Sequence, residues 1–275
     1  MAKFRTSDGV TLYYSDTGTG SSPPILCLSG LTRNSRDFDY VTPHLAEQRL
    51  IKLDYRGRGQ SDWTDFETYT IPREALDCFE LLDHLGLDKA AILGTSRGGL
   101  IAMVLAATAK DRLSGVALND IGPELMSEGL DSIGIYLGRN PSQKTYAEAV
   151  EMRASLLPGF QNVPTSRWQN EVEMHYRETP DGLQINYDPK LRDAVLSART
   201  KDMPDLWPLF EALIGLPTLC LRGANSNLLS ADTLDRMQKR HPHMIATTVP
   251  DRGHVPFLDE PTSLAALRTW ISHLT

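Results

Sequence analysis

A serine at position 96 lies in the pentapeptide Gly94-Thr95-Ser96-Arg97-Gly98, directly after the apolar run Ala90-Ala91-Ile92-Leu93. A mostly apolar segment follows from Leu100 to Ala109. A strand that turns this sharply into a helix lifts the hydroxyl of the central serine above the sheet edge, where it can attack a carbonyl carbon. The pattern therefore predicts Ser96 as a nucleophile. The alternative is a tight turn in which Ser96 only caps the helix.

A serine nucleophile needs a general base that takes its proton, and histidine is the usual one. His254 follows Gly253 in the loop after a predicted final strand, Ile245 to Val249. The other six histidines fall in predicted helices or beside a helix end, where surface or partly buried side chains are expected: His44, His84, His175, His241, His243 and His273. None of them forms the helical histidine pair that is typical of a metal site. We therefore predict His254 as the base.

These two segments and the loop Asp54-Tyr55-Arg56-Gly57-Arg58-Gly59 resemble the α/β-hydrolase fold family, and the resemblance covers nearly the whole chain. Within that family the chain is similar to soluble serine esterases with a helical cap. The resemblance implies a mostly parallel sheet with helices on both faces, and a site in the order serine, acid, histidine. It also implies that the backbone amides of Arg97 and Leu31 stabilise the oxyanion. Ser29-Gly30 stands where the family usually has His-Gly.

The acid that should orient His254 is where the sequence departs from the family. The usual position follows the predicted strand Leu216 to Leu221, and Asn227 stands there. An asparagine can orient an imidazole, but it cannot stabilise the imidazolium with a full charge. One hypothesis is that Asp120, after the preceding predicted strand, is the acid; a structural role for Asp120 is the alternative. A second is that Asn227 is an engineered change that inactivates the enzyme. A third is that the chain is a slow hydrolase or a binding protein.

Short apolar segments alternate with amphipathic ones, as in a parallel sheet built from βαβ units. The predicted strands of this sheet are 25–28, 50–53, 90–93, 115–118, 216–221 and 245–249. A hairpin around Asp8-Gly9 precedes them, and the polar segment Thr17 to Pro24 is predicted as a loop.

The alternation stops between about Pro123 and Asp205, where helices are predicted at 148–157, 167–176 and 190–199 without an apolar strand. We therefore predict an α/β-hydrolase core of residues 1–122 and 206–275 with an inserted helical cap of residues 123–205.

The composition is that of an ordinary globular protein with 275 residues and a net charge of −7. The negative charge argues against nucleic acid or an anionic membrane as a partner, since both attract basic patches. The first residues lack the apolar core of a signal peptide, and no stretch is long and apolar enough to span a bilayer. The three cysteines, Cys27, Cys78 and Cys220, are widely spaced and are expected to be free in a reducing compartment. The expected location is the cytoplasm.

Together these features predict a serine hydrolase that cleaves small carboxylic esters through an acyl-enzyme. A lactonase or a carbon–carbon hydrolase would use the same serine and histidine, and a hydrolase-derived binding protein with little turnover is the alternative from another class. No metal or organic cofactor is implied, and the predicted partner is a small ester or lactone. The oligomeric state does not follow from the sequence.

Overall fold

The computed structural model describes residues 2–157, 159–199 and 204–274. The strands, in chain order, are β1 (Ala2–Arg5), β2 (Thr11–Asp16), β3 (Ser21–Leu28), β4 (Gln48–Leu53), β5 (Ala90–Thr95), β6 (Leu113–Asn119), β7 (Tyr176–Thr179), β8 (Gly182–Ile185), β9 (Thr218–Gly223) and β10 (Ile245–Val249). Across the described residues, eight of them form one sheet in the order β1-β2-β4-β3-β5-β6-β9-β10, while β7 and β8 form a separate hairpin. The pairings β1-β2 and β2-β4 are antiparallel, and all others in the main sheet are parallel. The predicted mostly parallel sheet is confirmed.

The central strands β5 and β6 are buried at every position, as expected where helices cover both faces of a sheet. All the predicted strands are present, with small shifts at their ends. The prediction of a loop from Thr17 to Pro24 was partly wrong, because β3 already begins at Ser21. The pairing of β3 with β4 is irregular between Ser21 and Ile25. Such an interruption accommodates prolines, which cannot donate to a β-ladder.

Helices flank this sheet and continue between β6 and β9. They are α1 (Ile71–His84), α2 (Arg97–Ala109), α3 (Ser127–Tyr136), α4 (Tyr146–Leu156), α5 (Thr165–His175), α6 (Leu191–Arg199), α7 (Trp207–Glu211), α8 (Ala231–Arg240) and α9 (Pro261–Ile271). The three helices predicted for the cap correspond to α4, α5 and α6. The sequence did not suggest α3, which contains two glycines, or α7, which is only five residues long.

The region predicted as a cap contributes no strand to the main sheet within the described residues. It consists of α3 to α6 and the β7–β8 hairpin, and residues 158 and 200–203 of the predicted cap lie outside the described residues. The division into a core and a cap domain stays a prediction.

The parallel strands all point their carboxyl ends at the same edge of the sheet. Leu31 follows β3, Ser96 follows β5, Asp120 follows β6 and His254 follows β10. Ligands of open α/β sheets bind outside this edge. The fold therefore brings residues from distant parts of the chain to one place.

Candidate active site

Ser96 occupies the turn between β5 and α2 with backbone angles φ 50° and ψ −113°, a conformation that residues other than glycine rarely adopt. Two glycines make this turn possible. A Cβ on Gly98 would lie 2.1 Å from the Leu28 carbonyl oxygen, and one on Gly94 would lie 2.5 Å from the Gly98 carbonyl oxygen. The Ser96 amide donates to the Asn119 carbonyl at 3.0 Å. The turn is thereby tied to β6, and the hydroxyl is held at the sheet edge.

The imidazole of His254 lies between Ser96 and Asp120. Its Nε2 is 3.0 Å from the Ser96 Oγ, and its Nδ1 is 2.7 Å from the Asp120 Oδ2. The His254 side chain is only 17 % exposed. Because a carboxylate can only accept, Nδ1 donates to Asp120 and Nε2 is left to accept from the serine hydroxyl. The arrangement can move a proton away from the Ser96 oxygen.

Asp120 is fully buried and has a positive φ of 56°. Its Oδ1 accepts from the Gly223 amide at 2.7 Å, and its Oδ2 accepts from the Ser226 hydroxyl at 2.6 Å as well as from His254. Its own amide donates to the Leu221 carbonyl at 2.8 Å. These contacts hold both the backbone and the carboxylate of Asp120, so that one oxygen faces the imidazole.

Asn227 is half-buried on the loop after β9. Among the described residues, the imidazole of His254 is hydrogen-bonded to Ser96 and Asp120 and not to Asn227. The residue of this loop that reaches the site is Ser226, through Asp120. The sequence analysis missed Ser226, and its only cue there was its place next to Asn227.

Arg97 is the first residue of α2, so its amide has no acceptor within the helix. The next amide, that of Gly98, donates to the Ser29 carbonyl at 3.1 Å. Within the described part of the chain, neither the Arg97 amide nor the Leu31 amide forms a hydrogen bond. Both amides are therefore available as donors, which is one requirement of an oxyanion hole.

The loop that carries Leu31 lies against the serine, since a Cβ on Gly30 would be 3.9 Å from the Ser96 Cβ. Within the described ranges, the Ser29 hydroxyl has no hydrogen-bond partner, so this side chain does not anchor the loop. The Ser29 carbonyl does so instead, by accepting from the Tyr55 hydroxyl at 3.2 Å. The loop is therefore held mainly by backbone acceptors.

Asp54, in the loop that follows β4, binds backbone amides. Its carboxylate accepts from the Ser35 amide at 2.7 Å and from the Gln60 amide at 2.9 Å. It thus joins two loops beside the sheet edge.

The loop of His254 is held by β6 and by the region predicted as a cap. From the core, the Asn119 side chain donates to the Pro256 carbonyl at 3.0 Å. From the region predicted as a cap, Phe160 and Trp168 pack on Phe257, with ring centroids 5.3 Å and 6.1 Å from it. The loop that carries His254 is therefore contacted on both sides.

Two of the histidines expected at surface or partly buried positions, His175 and His241, are buried. His175, the last residue of α5, lies beside Asp37, and His241 contacts Thr218 at 3.2 Å. Across the described ranges, no three His, Cys, Asp or Glu side chains are grouped so that they could hold a metal ion. In the same ranges, no helix has the length and apolarity needed to cross a bilayer.

Known proteins resemble this chain in sequence over most of its length. A sequence profile of the α/β hydrolase fold matches residues 23–261. A 3-hydroxybutyrate-oligomer hydrolase from Cupriavidus necator is 35 % identical over 92 % of this chain and 89 % of its own length. A 2-(acetamidomethylene)succinate hydrolase from Mesorhizobium japonicum is 26 % identical over 86 % of this chain and 82 % of its own.

Solved structures agree with the sequence matches. A crystal structure of an α/β hydrolase from Novosphingobium aromaticivorans superposes with a TM-score of 0.91 at 35 % identity. The alignment covers 99 % of this chain and 98 % of the other.

Proposed function

The chain belongs to the α/β-hydrolase fold family, and on that premise we propose that it is a serine hydrolase of small carboxylic esters. The observation that carries the proposal is the continuous line of hydrogen bonds from the Ser96 hydroxyl through His254 to Asp120. Such a line turns a weak nucleophile into a reactive one, because the base and its orienting acid are already in place.

In the proposed reaction the Ser96 oxygen bonds to the ester carbonyl carbon while its proton passes to Nε2 of His254. The oxyanion that forms is bound by the Arg97 and Leu31 amides. His254 then returns the proton to the leaving alcohol, and an acyl-enzyme remains. Water attacks this intermediate by the same route and releases the acid. Losing either amide donor would raise the barrier by about 2.7–4 kcal/mol.

Asp120 has the role of the acid in this proposal. Its carboxylate keeps the Nδ1 hydrogen of His254 in place and balances the imidazolium charge during the reaction. The alternative of a binding protein without turnover rested on Asn227 alone. That support weakens because Nδ1 of His254 faces the Asp120 carboxylate.

For the substrate, we propose esters of short hydroxy acids as the first class to test. The relative from Cupriavidus necator is named for oligomers of 3-hydroxybutyrate, and the units of such an oligomer are joined by ester bonds. Lactones and carbon–carbon substrates remain the alternatives, since the same serine and histidine would serve them.

Labelling with a fluorophosphonate probe tests the nucleophile. We expect the wild-type protein and an exposed-serine control, Ser142→Ala, to be labelled, and Ser96→Ala to remain unlabelled. Ser96→Ala should also lower kcat on p-nitrophenyl butyrate by roughly 10⁶-fold. A series of p-nitrophenyl esters, 3-hydroxybutyrate dimers and lactones then ranks the substrates. A wild-type protein that is neither labelled nor active on any of them would refute the hydrolase and favour the binding protein.

A further inference from the structure

The side chain of Arg97, the residue directly after the proposed nucleophile, does not point to solvent. Its Nε donates to the Glu74 Oε2 at 2.6 Å, and its Nη2 donates to the Tyr69 carbonyl at 3.0 Å. Glu74 lies in the first turn of α1 and is fully buried. Arg97 therefore links the start of α2 to the start of α1.

The second oxygen of Glu74 binds another arginine. Glu74 Oε1 accepts from Arg58 Nη1 at 2.8 Å, and Arg58 is also fully buried. The Nε of Arg58 donates in turn to the carbonyl of Leu31 at 3.0 Å. Arg58 lies between the Tyr55 and Tyr69 rings, 5.5 Å from each centroid, so it has little room to move.

One buried carboxylate is thus connected to both residues whose amides form the proposed oxyanion hole. It reaches Arg97 directly, and it reaches Leu31 through Arg58. These two residues belong to different elements, the start of α2 and the loop after β3. A backbone hydrogen bond from Gly98 to Ser29 joins these elements, and Glu74 adds a second connection through side chains. An oxyanion hole stabilises charge only when its donors are held at the right separation before the reaction.

On the basis of the proposed function, we propose that Glu74 is a positioning residue that sets the geometry of the oxyanion hole through Arg97 and Arg58. It does not touch the reacting atoms. A single carboxylate that accepts from both guanidiniums in a buried site transmits position well, because charge-assisted hydrogen bonds are short and directional there.

The protonation state of Glu74 is compatible with this role. Burial disfavours its charge, but the Arg58 and Arg97 guanidiniums outweigh burial, so the pKa of the Glu74 carboxyl lies below its ordinary value. Glu74→Gln therefore removes a full charge at neutral pH while it preserves the size of the side chain.

The test is Glu74→Gln, measured on p-nitrophenyl butyrate and with butaneboronic acid, whose tetrahedral adduct on a serine would place an oxygen in the oxyanion hole. We expect kcat to fall about 10- to 100-fold and the boronate inhibition constant to rise in the same proportion, because the donors are misplaced and not removed. KM should stay within about threefold, and Glu74→Asp, which restores the charge, should recover part of kcat.

Glu80→Gln is the matched control. Glu80 lies on the same helix and binds Arg73 at 2.9 Å and Ser7, but within the described residues it is hydrogen-bonded to neither Arg58 nor Arg97. We expect it to leave kcat and the boronate affinity within twofold of wild type. If Glu74→Gln does not fold, Arg97→Met takes its place as the test variant. This change leaves the Arg58–Glu74 pair intact and should lower kcat in the same way.

The inference is overturned if the folded variants keep kcat and boronate affinity within twofold of wild type, or if only KM changes. These outcomes are distinct from a failure of the proposed function, in which the wild-type protein itself shows no ester hydrolysis and no labelling at Ser96.

Discussion

The imidazole of His254 serves a serine nucleophile only in the tautomer that carries its hydrogen on Nδ1, because Nε2 must be free to accept. Asp120 selects this tautomer by accepting at 2.7 Å. The Gly223 amide donates to the other oxygen of the carboxylate and the Ser226 hydroxyl to the same oxygen as His254, so both oxygens are held against rotation. Asp120 thus selects the tautomer of His254 in which Nε2 can accept a proton from the Ser96 hydroxyl.

At Asp120 we predict that Asp120→Asn lowers kcat by about 10⁴-fold, as in serine proteases in which the same change imposes the wrong histidine tautomer. The amide group of the new side chain would donate toward Nδ1, which would then have to carry no hydrogen. By contrast, Asn227→Asp should leave kcat near the wild-type value. Steady-state kinetics on p-nitrophenyl butyrate measures both.

The opposite pattern would identify Asn227 as the occupant of the acid position. If Asn227→Asp raises kcat while Asp120→Asn leaves it unchanged, then the buried hydrogen bonds of Asp120 serve only the loop after β6.

At the scale of elements, the turn from β5 into α2 depends on how closely strand and helix approach. The 2.1 Å that would separate a Cβ on Gly98 from the Leu28 carbonyl oxygen is far inside van der Waals contact. The obstacle is backbone of β3, which is fixed in the middle of the sheet and cannot move aside. The glycine is therefore a requirement of packing between elements.

We predict that Gly98→Ala destabilises the fold by about 3 kcal/mol, at the upper end of what overpacking usually costs. Gly86→Ala is the control: Gly86 has a φ of +66°, but a Cβ added there would have nothing within 4 Å. It should cost only the backbone strain of about 1–2 kcal/mol. Urea unfolding compares the two, and an equal loss in both variants would show that contact with β3 is not the cause.

Helix α5 joins the two sides of the site. Near its start, the Arg167 guanidinium lies 4.7 Å from the Phe257 ring, on the loop after His254. Near its end, the Met174 carbonyl accepts from the Asn34 side chain at 3.2 Å, on the loop after Leu31. The region predicted as a cap is thus packed against both loops that flank Ser96.

For the molecule as a whole, the contact of α5 with the loop after β3 includes a buried cluster of charged side chains. Arg33 pairs with Asp37 at 2.5 Å and with Glu171 at 2.9 Å, and His175 lies 3.5 Å from Asp37. Burial and the neighbouring Arg33 lower the pKa of His175. Burial opposes the charges of Asp37 and Glu171, but Arg33 outweighs it, so the pKa of each carboxyl is also lowered.

The lowered pKa values of these three groups all predict that the stability of the fold depends on pH in the same direction. Below about pH 6.5, His175 is protonated more readily in the unfolded chain than in the folded protein. Below about pH 4, the carboxyls of Asp37 and Glu171 are likewise protonated more readily in the unfolded chain. Stability is therefore complete near neutral pH and falls as the pH falls. We expect the Tm to decrease between pH 7 and pH 5, with a smaller decrease in His175→Gln.

The exposed His273 provides the control, since His273→Gln should follow the wild-type curve. Part of the decrease should persist in His175→Gln because burial also lowers the pKa of His241. Identical curves for wild type and His175→Gln would exclude His175 as a source of acid sensitivity.

The amino-acid sequence alone was sufficient to predict the sheet and the position of the sharp turn at Ser96. Wholly apolar runs such as Ala90 to Leu93 are confined to buried strands by the hydrophobic effect, and the spacing of Gly94 and Gly98 around Ser96 reflects sterics within a few residues. Because these causes act between residues that are close in the sequence, the sequence alone reveals them. The start of β3 at Ser21 was not predicted, because the prolines in this segment disfavour a strand locally. Its pairing with β4, which lies farther along the chain, overrides that local preference.

Which acid faces His254 was settled only by the three-dimensional arrangement, because Asp120 and His254 are 134 residues apart and meet through the order of β6, β9 and β10. The same holds for Glu74, whose link to Arg97 and Leu31 joins α1, α2 and the loops after β3 and β4. Hydrogen bonds between such distant groups depend on strand order and helix packing, which no local pattern of residue types encodes.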